Sequence, residues 1–282
     1  MSFTRFIPVF IFAGIALVAL FPQLKNSQAS IPHEEKKLVT SDFTLPNVSA
    51  KSFFVFDMET GKKIGAKNEN TVLPIASVSK LITAALVLQQ KNIDATTSIK
   101  ESDIETEGRA GKLKVTEVYS FRELLFPLLL ESSNDAATAL LRSDSHLLQK
   151  MNDFTHRLGL KNSHFEDTSG LSDKNVSTAF ELSVILRNLF TTEPHLFDIT
   201  RLTQYIGTYT GWGNNNPLVQ QDGYQGGKHG YTALADRTAV AVFKEDSNGH
   251  IRTFGYVLLK SDTVLEDIKI LRAEVREKVR FQ

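Results

Sequence analysis

Apolar residues follow three regimes along this chain, and each regime predicts a different kind of element. Ser52-Phe53-Phe54-Val55-Phe56-Asp57 is a short apolar run, followed by a turn at Met58-Glu59-Thr60-Gly61 and a second run from Lys62 to Ala66. This is the pattern of a β-hairpin. From Ser77 to about Phe190 the spacing becomes helical. Leu81 to Leu88 is apolar nearly all round, which predicts a helix lying in a core. Phe121 to Leu130 reads as an apolar helix interrupted by Pro127, with a break at Ser132-Ser133-Asn134-Asp135 and a resumed helix from Ala136 to Leu141. His146 to Leu158, stopped by Gly159, and the amphipathic Thr178 to Phe190 complete the helical stretch.

Past Thr200 the pattern returns to strands. Thr238–Phe243 and Ile251–Leu259 are apolar at consecutive positions, as expected of strands covered on both faces, and Asp246-Ser247-Asn248-Gly249 is a hairpin turn between them. Thr263 to Val279 carries Val264, Leu265, Ile268, Leu271 and Val275 on one stripe, with acids early and bases late. This is a closing helix whose stripe covers a sheet. Strands therefore come from both ends of the sequence. The expected fold is α+β (α/β): an antiparallel sheet with covering helices and an inserted all-helical subdomain. No internal repeat or low-complexity tract interrupts it.

The N-terminus is of a different kind. Arg5 is the only charge before Lys25, and Phe6 to Leu24 is an uncharged, mostly apolar segment of 19 residues, followed by the small-x-small site Ser27-Gln28-Ala29. This reads as an export signal in residues 1–29, either cleaved or retained as an anchor, since about 20 apolar residues span a bilayer. Residues 30–48, with a proline and a charge cluster at His33 to Lys37, read as a linker, and residues 49–282 as the domain itself. The domain is expected to work outside the cytoplasm. Composition adds exclusions. Lys plus Arg and Asp plus Glu balance at 32 each, so no nucleic-acid partner is indicated. There is no cysteine, which removes thiol catalysis, disulfides and zinc-cysteine sites. The seven histidines show no metal-ligand spacing, and no cofactor is expected.

Candidate chemistry begins with Ser77-Val78-Ser79-Lys80, the one Ser-x-x-Lys in the chain. Residues three apart on a helix share a face, so a hydroxyl and an amine come within reach of each other. A serine becomes a nucleophile when a base takes its proton, and a neutral amine can be that base. Two further fragments follow: Ser132-Ser133-Asn134, at the break between helices, and Gly226-Gly227-Lys228-His229-Gly230-Tyr231-Thr232, before the strand pair. Taken alone, the first of these is equally a helix cap by Ser132 or Ser133, and the second a glycine-rich turn.

In this order the three fragments resemble those of the serine D-alanyl-D-alanine carboxypeptidases, the low-molecular-mass penicillin-binding proteins. The similarity extends to Phe53–Leu88, to Leu124–Leu140, to Met151 through Leu171 with its Ser169-Gly170-Leu171, and to Asn214-Asn215-Asn216-Pro217-Leu218. It covers about residues 50 to 275. The resemblance implies a penicillin-recognising, β-lactamase/transpeptidase-like fold. It also implies roles: Ser77 the acylated nucleophile, and Lys80 its base, with a pKa lowered by burial and by Lys228. Ser132 would relay a proton to the departing D-alanine, Asn134 hold the substrate's amide, and Lys228 attract its carboxylate. Backbone N–H groups of Ser77 and Tyr231 would form an oxyanion hole, with Thr232 near the carboxylate.

Where the family has Lys-Thr-Gly or Lys-Ser-Gly, this chain has Lys228-His229-Gly230. An imidazole can donate to a carboxylate, more strongly when protonated, so His229 is expected to make acylation pH-dependent. Larger family members carry a further β-domain and an amphipathic C-terminal anchor; here any tether is expected at the N-terminus. The implied function is a penicillin-sensitive DD-carboxypeptidase that trims peptidoglycan stem peptides in a bacterial cell envelope, with β-lactams as covalent inhibitors. The same residues serve a DD-endopeptidase. A β-lactamase would need a water-activating acid, for which Glu166 is the nearest candidate. A cell-wall-binding module without turnover is the non-enzymatic alternative.

Overall fold

A computed structural model describes residues 38–40, 46–108, 110–247 and 249–281. The expected export segment, residues 1–29, lies outside them. Among the described residues no helix is long and apolar enough to cross a membrane.

Five antiparallel strands form the main sheet: β1 (Ser52–Asp57), β2 (Lys63–Lys67), β3 (Tyr224–Thr232), β4 (Asp236–Ser247) and β5 (His250–Ser261). Their spatial order is β3-β4-β5-β1-β2, so the N-terminal hairpin joins the C-terminal strands through β5 and β1. Alternate residues of each central strand enter different cores. Phe54, Phe56, Val240, Val242, Val257 and Leu259 face the helical block, while Phe53, Val55, Ala239, Ala241, Tyr256 and Leu258 face the closing helix. This is why these strands read as continuous apolar runs. The turn between β4 and β5 is tighter than expected, since the strands continue to Ser247 and resume at His250.

The helices are α1 (Lys80–Leu88), α2 (Glu101–Ile104), α3 (Phe121–Leu130), α4 (Asn134–Ser143), α5 (Leu147–Arg157), α6 (Ala179–Thr192), α7 (Pro194–Thr200) and α8 (Val264–Lys278). Helix α1 is buried from Lys80 to Val87, as its all-round apolar character requires. Helix α8 turns Val264, Ile268, Leu271 and Val275 onto the sheet. Glu245 of β4, fully buried, pins it there by accepting from Arg272 at 2.5 Å and Arg276 at 2.7 Å.

Two expectations need correction. Pro127 does not interrupt its helix: α3 runs from Phe121 through Leu130. Proline forfeits one N–H bond, but only three residues remain, and its own carbonyl closes the end by accepting Glu131 N and Ser133 N at 3.3 and 3.0 Å. Within the stretch expected as a linker, Leu38–Thr40 forms a strand paired antiparallel with Val279–Phe281, and Val48 is already buried in the core under α8. The backbone that follows α8 supplies the partner.

Candidate active site

The Ser77 fragment is built at a junction. Ala76–Ser79 is a turn of 3-10 helix that runs into α1. In that geometry residues i and i+3 eclipse, so Ser77 sits directly over Lys80. Ala76 holds a positive φ of 48°, a strained setting for a non-glycine residue. The sheet clamps the turn in place. Thr238 Oγ1 of β4 donates to Ile75 O at 2.9 Å, and Ile75 N donates to Asn175 O at 3.0 Å. Strand β3 passes close by: a Cβ added at Gly230 would stand 2.5 Å from Ser77 N and 3.0 Å from Ala76 Cβ. Only glycine lets the strand approach the Ser77 N–H this closely.

Lys80 is completely buried and its amine has three contacts, with Ser77 Oγ at 2.9 Å, Asn134 Oδ1 at 2.7 Å and Ser169 O at 2.6 Å. Burial, and then the positive charge of Lys228, hold its pKa well below the ordinary lysine value, while Asp167 pulls it upward. The contacts decide where the lone pair points once the amine is neutral. Ser169 O can only accept. Asn134 Oδ1 can only accept too, its orientation fixed because Nδ2 donates to Glu107 O at 2.8 Å. The two remaining N–H groups go to those oxygens, so the lone pair faces the Ser77 hydroxyl. That is the geometry of an amine taking a proton from a serine.

The second fragment divides its work. Ser133 is the helix cap: its Oγ accepts Ala136 N at 3.0 Å and donates to Ala110 O at 2.6 Å. Ser132, with φ of 61°, lines the cleft beside Ser77. The segment before it is fastened by Asn215, which donates from N to Leu130 O at 3.0 Å and from Nδ2 to Glu131 O at 3.1 Å. Asn134 serves Lys80 as well as the cleft. One Nδ2 hydrogen goes to Glu107 O, which leaves the second available to a ligand.

The third fragment differs most from expectation. Lys228 is buried, its amine donates to His229 O at 2.5 Å, and burial pushes its pKa down to about 7. It is half-charged near neutrality rather than a permanent cation. His229 lines the cleft, and its Nδ1 is buried with no hydrogen-bond partner among the described residues. Burial, and then Lys228, push its pKa down to about 3, which favours the neutral imidazole over the more strongly donating protonated form. Thr232 Oγ1 donates to Asp173 at 3.2 Å and accepts Ala235 N at 3.1 Å, while Tyr231 is exposed at the rim.

Ser77, Ser132, Asn134, His229, Gly230, Tyr231 and Thr232 thus border one cleft of about 590 Å³, with Lys80 and Lys228 buried behind its wall. Glu166 does not face it. That side chain accepts from Ser172 Oγ at 2.7 Å and pairs with Lys174 at 2.9 Å on the surface. Sequence reasoning gave no role to Asp167 or to the Ser169 carbonyl. Among the described residues no cluster of His, Cys, Asp and Glu could hold a metal ion.

Comparisons with known proteins concern the family and the fold. A family model described as D-alanyl-D-alanine carboxypeptidase matches residues 39–254. The D-alanyl-D-alanine endopeptidase of Haemophilus influenzae is 32% identical over 186 residues, 61% of this chain and 62% of that protein. The chain therefore spans less than two thirds of the length of that relative. D-alanyl-D-alanine carboxypeptidase DacB2 of Mycobacterium tuberculosis is 29% identical over 232 residues, covering 77% of this chain and 78% of that one. The solved D-alanyl-D-alanine carboxypeptidase of M. tuberculosis H37Rv shares the fold with a TM-score of 0.75 at 26% identity, over 82% of this chain and 92% of that chain.

Proposed function

We propose, for a chain that belongs to the D-alanyl-D-alanine carboxypeptidase family, that it hydrolyses the terminal D-Ala-D-Ala bond of peptidoglycan stem peptides through an acyl-enzyme on Ser77. The observation that carries this reading is the buried Lys80 amine, whose contacts other than Ser77 Oγ are oxygens that can only accept.

Neutral Lys80 takes the Ser77 proton as Oγ attacks the penultimate D-alanine carbonyl. The N–H groups of Ser77 and Tyr231 receive the oxyanion, a contribution of about 3–4 kcal/mol per donor in comparable sites. Ser132 passes a proton to the departing D-alanine amine, and the free Nδ2 hydrogen of Asn134 takes the substrate's amide carbonyl. Lys228, His229 and Thr232 form the subsite for the terminal carboxylate. Bringing a carboxylate there favours the charged form of Lys228, which burial alone holds near half-ionised. Water then cleaves the ester. A β-lactam carbonyl enters the same path and leaves a slower ester.

A DD-endopeptidase acting on cross-links is the second reading, favoured by the name of the H. influenzae relative. Residues 1–29 are proposed to export the chain and to tether it where they are not cleaved. The test is labelling of the full chain by a fluorescent penicillin, beside Ser77→Ala, with products from a pentapeptide and from a cross-linked dimer. Label absent only in Ser77→Ala, with D-alanine released from the pentapeptide, supports the first reading. Cleavage of the dimer alone supports the second, and no label on folded protein overturns both.

A further inference from the structure

Lys80 owes its third contact to a loop, and that loop is organised around one side chain. Asp167 Oδ1 accepts Ser169 N at 2.7 Å, Ser169 Oγ at 2.9 Å, Gly170 N at 2.5 Å and Leu171 N at 3.3 Å, while Oδ2 accepts Ser172 N at 2.6 Å. Among the described residues no cation pairs with this carboxylate. Its donors are the loop's own N–H groups and one hydroxyl. The loop so formed docks under α1 at three points. Ser169 O receives the Lys80 amine at 2.6 Å, and Thr168 O receives Thr83 Oγ1 at 2.7 Å. Gly170, at φ of 81°, lies so close to the Ala76 carbonyl that no side chain fits there.

We infer that Asp167 is a positioning residue for Lys80, folding residues 167–172 so that the Ser169 carbonyl meets the amine and setting a negative charge behind it. The inference rests on Lys80 being the base for Ser77. An asparagine could keep one acceptor but would turn an NH2 toward Ser172 N, so the loop asks for a carboxylate. The charged groups that act on the amine are Lys228 on β3 and Asp167 on the loop. Of these, Lys228 disfavours the ammonium and Asp167 favours it. His229 is neutral above about pH 3. Removing the Asp167 charge therefore makes Lys80 a neutral base at lower pH, not at higher pH.

The test is the rate of acylation of the full chain by a fluorescent penicillin as a function of pH, for wild type, Asp167→Asn and Asp167→Glu. The 13Cε shifts of the lysines are followed in parallel to titrate Lys80 directly. Asp167→Asn is expected to move the acid limb down by about one pH unit and to lower the plateau by less than about tenfold. Asp167→Glu, which keeps the charge, should hold the limb within a few tenths of a unit of wild type. Should Asp167→Asn not fold, Asp167→Ser supplies the charge-free comparison. A limb that stays in place in the charge-free variant, or that moves as far with Glu, overturns the inference. If wild type takes no label at all, acylation on Ser77 fails, while the Lys80 titration still decides the role of Asp167.

Discussion

Ser132 and Ser133 are neighbours with separate tasks: Ser133 Oγ caps α4 through Ala136 N at 3.0 Å, and Ser132, at φ of 61°, borders the cleft. The two hydroxyls are alike in sequence, and backbone geometry alone distinguishes them. Ser133→Ala should cost about 1–2 kcal/mol of stability in urea unfolding, through the lost cap and the orphaned Ala110 carbonyl, and should leave turnover of the folded fraction near wild type. Ser132→Ala should unfold within about 0.5 kcal/mol of wild type and lose roughly 10²- to 10⁴-fold in D-alanine release. The opposite pattern would reverse the assignment.

His229 was expected to give acylation a pH dependence of its own, and its lowered pKa argues against that. With a pKa of about 3 it carries no charge through the working range. His229→Thr is therefore expected to leave the shape of the acylation profile unchanged from about pH 5 to about 9, with a rate within about tenfold. Penicillin labelling across that range checks this. A limb displaced by more than about half a unit would return the titrating role to His229.

Lys228 couples stability to pH with a definite sign. Its folded pKa, about 7, lies below the ordinary 10.5, so between these values the unfolded chain binds more protons than the folded one. Stability rises with pH through that window, because the cost of the buried amine is present in full below about 7 and relieved toward 10.5. Measured against Lys228→Met, wild type should gain on the order of 1–4 kcal/mol between the two ends of the window. A flat difference would show that the amine is solvated.

Gly230 lies outside the left-handed region, so a substitution there reports on crowding rather than on backbone strain. Its added Cβ would press on Ser77 N at 2.5 Å. Gly230→Ala should cut acylation by about 10²-fold or more, the scale of one lost oxyanion donor, with a change of only a few degrees in Tm. Unimpaired labelling would mean that β3 can retreat without consequence.

What could be read from the chain, and what could not, follows from which atoms do the work. The three-residue spacing of Ser77 and Lys80 is a side-chain pattern, so it was legible. So were the two-faced strands, because both faces are covered by apolar cores. The partners of Lys80 were not legible, because Ser169 contributes a carbonyl, and any residue type has one. Asp167 escaped notice for the same reason, since its donors are mostly backbone N–H groups. Pro127 misled because proline's cost depends on how much helix follows it. The depth at which Lys228 and His229 are buried depends on strands brought together from distant parts of the chain.

That last dependence has a kinetic side. Strand β1 finds its partner β5 roughly two hundred residues later in the chain, with the whole helical block between them. Closing so long a loop is entropically costly and slow, which makes this a topology of high contact order. Ser77 and Lys80 lie three residues apart, whereas Gly230 reaches them from a distant part of the chain, on a strand of the sheet that this pairing completes. A half-folded chain therefore holds a serine and an amine with no wall opposite them. Without that wall it also lacks the Tyr231 N–H proposed as one of the two oxyanion donors, so complete pairing of the sheet is expected to precede reactivity.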